Sequence, residues 1–150
     1  MTGPRASPLV VVAAGGPEAA RLAAEKADGL VITEAKKEIV EAWRKAGGKG
    51  PIYAEIALCC AGDEKTAVKT AHKYFRWSVA GWPVLAELPH EEAFEAASKH
   101  VSEDTIAEEI TCGPSAERHL DGIAEYVALG CDHIVLNWSG SGVLFQVLLG

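Results

Sequence analysis

No metal-binding spacing occurs in this chain. Its four cysteines, Cys59, Cys60, Cys112 and Cys131, include an adjacent pair but no CxxC. Its five histidines, His72, His90, His100, His119 and His133, stand in neither HxxH nor HExxH spacing. A metal site is therefore not expected. Adjacent cysteines offer no disulfide framework either, which points to a reducing compartment, the cytoplasm. Basic clusters are missing too: 14 Lys and Arg stand against 21 Asp and Glu, a formal net charge of -7. That balance argues against nucleic acid and against an anionic membrane surface as partners. The apolar run near the start, Leu9 to Ala14, is too short for a membrane span or for the apolar stretch of a signal peptide.

What is present is a globular composition. The 150 residues are 49% hydrophobic and 23% charged, which suits one domain with a real core. Residues 1–8, polar with two prolines and one basic residue, are expected to be a disordered tail ahead of a single domain over 9–150.

Leu9 to Ala14 is apolar at every position and reads as a strand buried on both faces. Gly16 suits an N-cap and Pro17 the first position of a helix running to about Ala27. Leu30 to Ile32 is a second short strand. Thr33 is placed to cap a helix in which Ala35, Ile39, Trp43 and Ala46 keep helical spacing, and Gly47-Gly48 stops it. Ile52 to Cys60 is a third strand, after which Asp63 caps a helix burying Ala67, Val68, Ala71 and Phe75. The stretch from Trp77 to Glu92, with Gly81, Pro83 and Pro89, is the least regular. Helical pattern resumes over Glu92 to Lys99 and from Ser102 to near Ile110. Cys112-Gly113-Pro114-Ser115 reads as a turn opening a helix whose buried stripe is Leu120, Ile123, Ala124 and Val127, with Gly130 as its stop. His133 to Asn137 is the fourth strand. Four strands alternating with helices specify βα units and a parallel sheet, the α/β class.

Several residues are candidates for chemistry. Ala13-Ala14-Gly15-Gly16-Pro17 leaves a strand and opens a helix. Backbone N–H groups there are free and the helix dipole favours an anion, so the segment reads either as a phosphate cradle or as a tight turn. Thr33 can donate a hydrogen bond and Lys36 can offer a point charge; the alternative is a cap followed by a solvated lysine. Asn137-Trp138-Ser139-Gly140 ends the last strand, where Asn137 and Ser139 can reach a ligand and Trp138 can stack on one, or pack the loop. Strand alternation puts Glu55 on one side with Tyr53 and Ala57, either interior or at an exposed edge. Trp77 and Trp82 flank a Gly-Pro loop and either line a pocket or pack beneath it. Cys59-Cys60 read as small apolar strand residues.

Three blocks carry a family resemblance: VVVAAGGPEAARLAAEKADGLVIT, IYAEIALCCAGDEKTAVKTA and ITCGPSAERHLDGIAEYVALGCDHIVLN. Their order and spacing, from about Leu9 to Phe145, resemble the luciferase-like superfamily, and within it the F420-dependent oxidoreductases of the glucose-6-phosphate dehydrogenase type. The resemblance implies half of a (β/α)8 TIM barrel: four parallel strands with flanking helices, equivalent to strands 5 to 8. The length agrees, since a complete barrel takes about 250 residues. It implies a cofactor-phosphate site at Ala14, Gly15 and Gly16 for coenzyme F420, or FMN in its place. Thr33 and Lys36 match positions that hold a sugar phosphate, while Ala96 and Gly142-Val143-Leu144 stand where the family has a Lys and an Arg. Asn137 and Trp138 complete the candidate substrate residues.

The family's His, Trp and Glu that handle the proton and hydride belong to the half without a counterpart here, so no catalytic residue is assigned. The expected function is the C-terminal half of an F420- or flavin-dependent oxidoreductase acting on a small molecule. The alternative is a non-catalytic, truncated domain; a flavodoxin-like open sheet, monomeric and mononucleotide-binding, is a third reading. A lone half barrel leaves sheet edges and an apolar face uncovered, and the ending GVLFQVLLG adds apolar surface. A homodimer or a complementary N-terminal half is the expected partner.

Overall fold

The computed structural model describes residues 8–140. The tail expected before Pro8, the Gly142-Val143-Leu144 positions and the apolar ending lie outside the described residues. The described chain alternates strand and helix: β1 (Val11–Ala13), α1 (Pro17–Lys26), β2 (Gly29–Ile32), α2 (Lys37–Lys45), β3 (Ile52–Cys60) and α3 (Glu64–Phe75). A 3-10 turn (Arg76–Ala80) follows, then α4 (Trp82–Leu85), α5 (Glu91–Ser98), α6 (Glu103–Glu109), β4 (Thr111–Cys112), α7 (Ala116–Leu129) and β5 (His133–Gly140). The four expected strands are present, with β4 as an additional two-residue strand inside what reads in sequence as a turn.

Two compact units divide the chain. The first holds residues up to Ile56 together with Glu125–Val135. Here β1 and β2 pair in parallel, Val12 opposite Leu30, and β2 pairs in parallel with the start of β3, Val31 opposite Tyr53. Helices α1 and α2 pack together through small and large partners: Ala20 and Ala23 on one, Ile39, Val40 and Trp43 on the other, all buried. Trp43 is 1% exposed, and its ring occupies the place that a side chain at Gly48 would need, 2.3 Å from an added Cβ. Gly48 thus serves packing as well as ending the helix.

An identical device sets the register at the start of two strands. The Asp28 carboxylate accepts the Val10 N–H at 2.9 Å, and the Asp28 N–H donates to the Val10 carbonyl at 2.7 Å. The Asp132 carboxylate accepts the Ile52 N–H, and the Asp132 N–H donates to the Ile52 carbonyl, both at 2.8 Å. Each aspartate just precedes a strand and grips its neighbour at two points.

The second unit holds Ala57–Ala124 and the residues from Leu136. Here the end of β3 pairs in parallel with β4, Cys59 opposite Cys112. Its core gathers Cys59, Ala67, Ala71, Phe75, Ile106 and Cys112. The helix starts are capped as the sequence requires: Asp63 accepts the Thr66 N–H at 2.8 Å and Ser102 the Thr105 N–H at 3.1 Å.

Three expectations are corrected. β1 is not buried on both faces: Leu9 is 64%, Val10 52% and Val11 39% exposed, and only Ala14 is buried. Its far side has no strand among the described residues, so apolar content alone does not bury it. Thr33 does not cap α2; the bend through Glu34 delays the helix, whose N-cap is Lys36 with no side-chain cap bond. The buried stripe of α7 is also displaced. Leu120, Ala124 and Val127 are exposed, whereas His119 and Tyr126 are buried. Both buried groups are polar: His119 Nε2 bonds the Gly113 carbonyl at 3.0 Å while its Nδ1 is buried without a partner, and the Tyr126 phenol donates to the Thr33 carbonyl at 3.2 Å.

Candidate functional site

The first unit brings five of the candidate residues, Ala14, Gly15, Gly16, Thr33 and Lys36, to one end of the sheet. The Ala14 N–H donates to the Val31 carbonyl at 2.9 Å, so it continues the β1–β2 ladder and is not available to a ligand. The chain then turns through Gly15 and Gly16 into α1. Gly16 is the N-cap in extended backbone (φ -166°, ψ 172°), and Pro17 takes the first helical position. Ala20 is the first residue to bond back, its N–H reaching the Gly16 carbonyl at 3.1 Å. The Glu18 and Ala19 N–H groups therefore have no acceptor within the helix. A Cβ added at Gly16 meets nothing within 4 Å, so the space over this helix start is open. Donors, open space and the positive end of the dipole fit a phosphate. Glu18, acidic and in the first turn, works against one.

One strand over, β2 ends in the bend from Thr33 to Lys36. Thr33 is exposed, and its carbonyl accepts the Tyr126 phenol from α7. Tyr126 is missing from the sequence-level candidates; the signal for it is a lone aromatic on α7 seven residues after His119. Burial, then the charges of Cys131, Glu125 and Glu34, push the Tyr126 phenol up to about 12. Lys36 forms an ion pair with Glu34, two residues away. The hydrogen bond from Glu34, then its charge, raises the lysine above its ordinary value. Lys36 thus stays cationic but already has its counter-ion, and a phosphate there must displace Glu34.

Asn137 and Trp138 belong to the second unit and lie inside β5, which runs on to Gly140, rather than past its end. Asn137 is exposed. Trp138 is half-buried, its ring 6.3 Å from that of His119. The structure gives this tryptophan a packing partner.

The remaining candidates take bland roles. Glu55 is exposed on β3, with Tyr53 and Ala57 half-buried on the same side, while Ile52, Ala54 and Ile56 are buried on the other. The Trp77 indole donates to the Tyr74 carbonyl at 2.9 Å and meets Phe94 edge to face. All four cysteines are free, and burial raises each thiol, Cys112 to about 12. Thiolate nucleophiles are not formed under such conditions. Among the described residues no group of three or more His, Cys, Asp or Glu can hold a metal, and no helix is long and apolar enough to cross a membrane.

A family model described as luciferase-like monooxygenase matches residues 1–133. No curated protein matches the chain. Among solved structures, an F420-dependent secondary alcohol dehydrogenase in complex with an F420-acetone adduct matches 96% of this chain and 47% of its own, with 21% identity and a TM-score of 0.74. The coenzyme F420-dependent tetrahydromethanopterin reductase from Methanopyrus kandleri matches 93% and 48%, at 21% identity and a TM-score of 0.59. EDTA monooxygenase from Chelativorans sp. BNC1 matches 98% and 43%, at 17% identity and a TM-score of 0.54. The chain spans about half the length of the solved structures it matches, with the same α/β fold of parallel strands and flanking helices.

Proposed function

The chain belongs to the luciferase-like monooxygenase family, and on that premise we propose that it is the C-terminal half of an F420- or flavin-dependent oxidoreductase of the reducing cytoplasm. Its own task is to hold the phosphate of the cofactor. The observation that carries this reading is the open start of α1. There the Glu18 and Ala19 N–H groups, with Gly16 leaving the space clear, face the same sheet end as Thr33 and Lys36. When bound, the deazaflavin or flavin ring supplies the hydride chemistry. The chain's residues bind and orient: the Glu18 and Ala19 N–H groups, at the helix start opened by Gly15 and Gly16, take the cofactor phosphate, and Thr33 and Lys36 present a donor and a cation to the substrate. Acid–base groups for the reaction come from a complementary half.

Titration of the chain with F420 and with FMN, read by cofactor fluorescence, tests the proposal. Saturable binding competed by inorganic phosphate is the expected result. Absence of binding by either cofactor overturns it. The Lys36–Glu34 pair favours a second reading, a non-catalytic domain of the family, because it neutralises the one side-chain cation of the candidate site.

A further inference from the structure

The outer face of α3 carries charge of the sign that this chain otherwise lacks. Against a formal net charge of -7, Lys65, Lys69 and Lys73 stand about one turn apart on this helix, and all three are exposed. The opposite face is committed to the core through Ala67, Val68, Ala71 and Phe75. None of the three lysines forms an ion pair among the described residues, although Lys36, Lys37, Lys45, Arg76 and Arg118 each do. Asp63 and Glu64 stand beside Lys65 in sequence, so Lys69 and Lys73 carry most of the positive field.

These cations border a groove. About 380 Å³ of space lies along the helix, lined by Thr66, Lys69, Thr70, Lys73 and Tyr74. Residues three and four apart share a helix face, so the five make one continuous stripe. Both threonine hydroxyls donate to the chain itself, Thr66 to the Asp63 carboxylate and Thr70 to the Thr66 carbonyl, each at 2.8 Å. Their oxygens keep lone pairs, so the threonines can accept from a partner while the lysines donate to it. Tyr74 is 53% exposed and adds an aromatic surface of the kind that anchors protein contacts.

A compact anion is poorly served here. The backbone N–H groups in mid-helix are used by the helix, and the stripe has no arginine for a bidentate grip. A linear polyanion matches the stripe in length. Lys65 and Lys73 are eight residues apart, about 12 Å along the helix axis. An extended peptide with a carboxylate at every second residue sets three of them on one side over about 13 Å. Each ammonium then meets one carboxylate, and backbone N–H groups of the peptide meet the threonine oxygens.

We propose that the outer face of α3 is a docking surface for an extended segment of a partner protein in which acidic residues alternate with small ones. The proposal does not rest on cofactor binding. Fluorescence anisotropy of a dye-labelled peptide of alternating glutamate and serine, about eight residues long, titrated with the whole chain, tests it. Saturable binding that weakens as salt rises is expected. Lys69→Glu and Lys73→Glu should each weaken it about tenfold. Lys26→Glu, an equal change of charge on exposed α1, should leave it unchanged. Circular dichroism checks that each variant folds; should a reversal unfold, Lys69→Gln replaces it, with an expected loss of about threefold. No binding, or an equal loss in Lys26→Glu, overturns the proposal. Equal affinity for the same residues arranged as a glutamate block and a serine block overturns the alternating partner in favour of diffuse attraction. Displacement by inorganic phosphate at the concentration that suffices for the unlabelled peptide overturns it in favour of a compact-anion site. Tighter binding of a single-stranded oligonucleotide of equal length overturns it in favour of nucleic acid.

Discussion

The phenol of Tyr126, near the end of α7, donates to the carbonyl of Thr33 at 3.2 Å and so fastens the bend that follows β2. Thr33 and Tyr126 are 93 residues apart in sequence. The bond is therefore tertiary, and it holds the backbone of a residue whose side chain is left exposed. Tyr126→Phe should lower stability by about 1 kcal/mol, a fall of about 3 °C in Tm. The same phenol imposes an alkaline limit. In the unfolded chain it ionises near its ordinary 10.0, in the folded chain at about 12. Between these the unfolded state has released a proton that the folded state keeps, so stability falls as pH rises from about 10. Cys112, raised to about 12, acts in the same direction. Thermal melts from pH 8 to 11 should show a decline that is shallower in Tyr126→Phe; an identical decline would contradict the role of the phenol.

Two glycines near the strand ends should respond very unequally to alanine. At Gly50 an added Cβ lies 1.5 Å from the Asp28 carbonyl oxygen, a backbone atom that cannot step aside. Gly50→Ala should cost about 3 kcal/mol or more. At Gly16 the Cβ meets nothing, so Gly16→Ala should cost under about 1 kcal/mol, the difference between glycine and alanine as an N-cap. Chemical denaturation ranks the two. If the α1 start holds a phosphate, Gly16→Ala also weakens F420 or FMN binding while the fold survives.

Glu34 restrains Lys36. Glu34→Gln removes the counter-ion and frees the ammonium, so a phosphorylated ligand at this end should bind several-fold tighter at low salt, with the gain fading as ionic strength rises. Fluorescence titrations at two salt concentrations measure both effects. Unchanged affinity in Glu34→Gln would separate Lys36 from the binding site.

Local rules were legible where the deciding groups are close in sequence. Gly16 before Pro17, Asp63 before Thr66 and Ser102 before Thr105 each determine a helix start within three residues, and all three are observed. Likewise the expected stripe on α3, Ala67, Val68, Ala71 and Phe75, is entirely buried. The reading of α7 was rotated because periodicity counts apolar residues alone. His119 and Tyr126 are buried by virtue of carbonyl partners at Gly113 and Thr33, which no local pattern reveals. β1 was read as doubly covered because six apolar residues in succession, Leu9 to Ala14, look the same whether or not a neighbouring strand exists. At the candidate site the Gly-Gly-Pro turn was visible, whereas the Glu34–Lys36 pair and the use of the Ala14 N–H in the ladder depend on where side chains and strands come to rest.

The two aspartate grips, Asp28 on Val10 and Asp132 on Ile52, sit where their strands begin, at the opposite end of the sheet from Gly15, Gly16 and Thr33. A slip of one residue would break both bonds of a grip at once and turn every side chain of the strand to the wrong face. Alignment is thereby anchored at one end, leaving the other end exempt from it. Loops after β1 and β2 can change length or chemistry without disturbing the strands that carry them, so new ligand preferences can arise in this chain without refolding it.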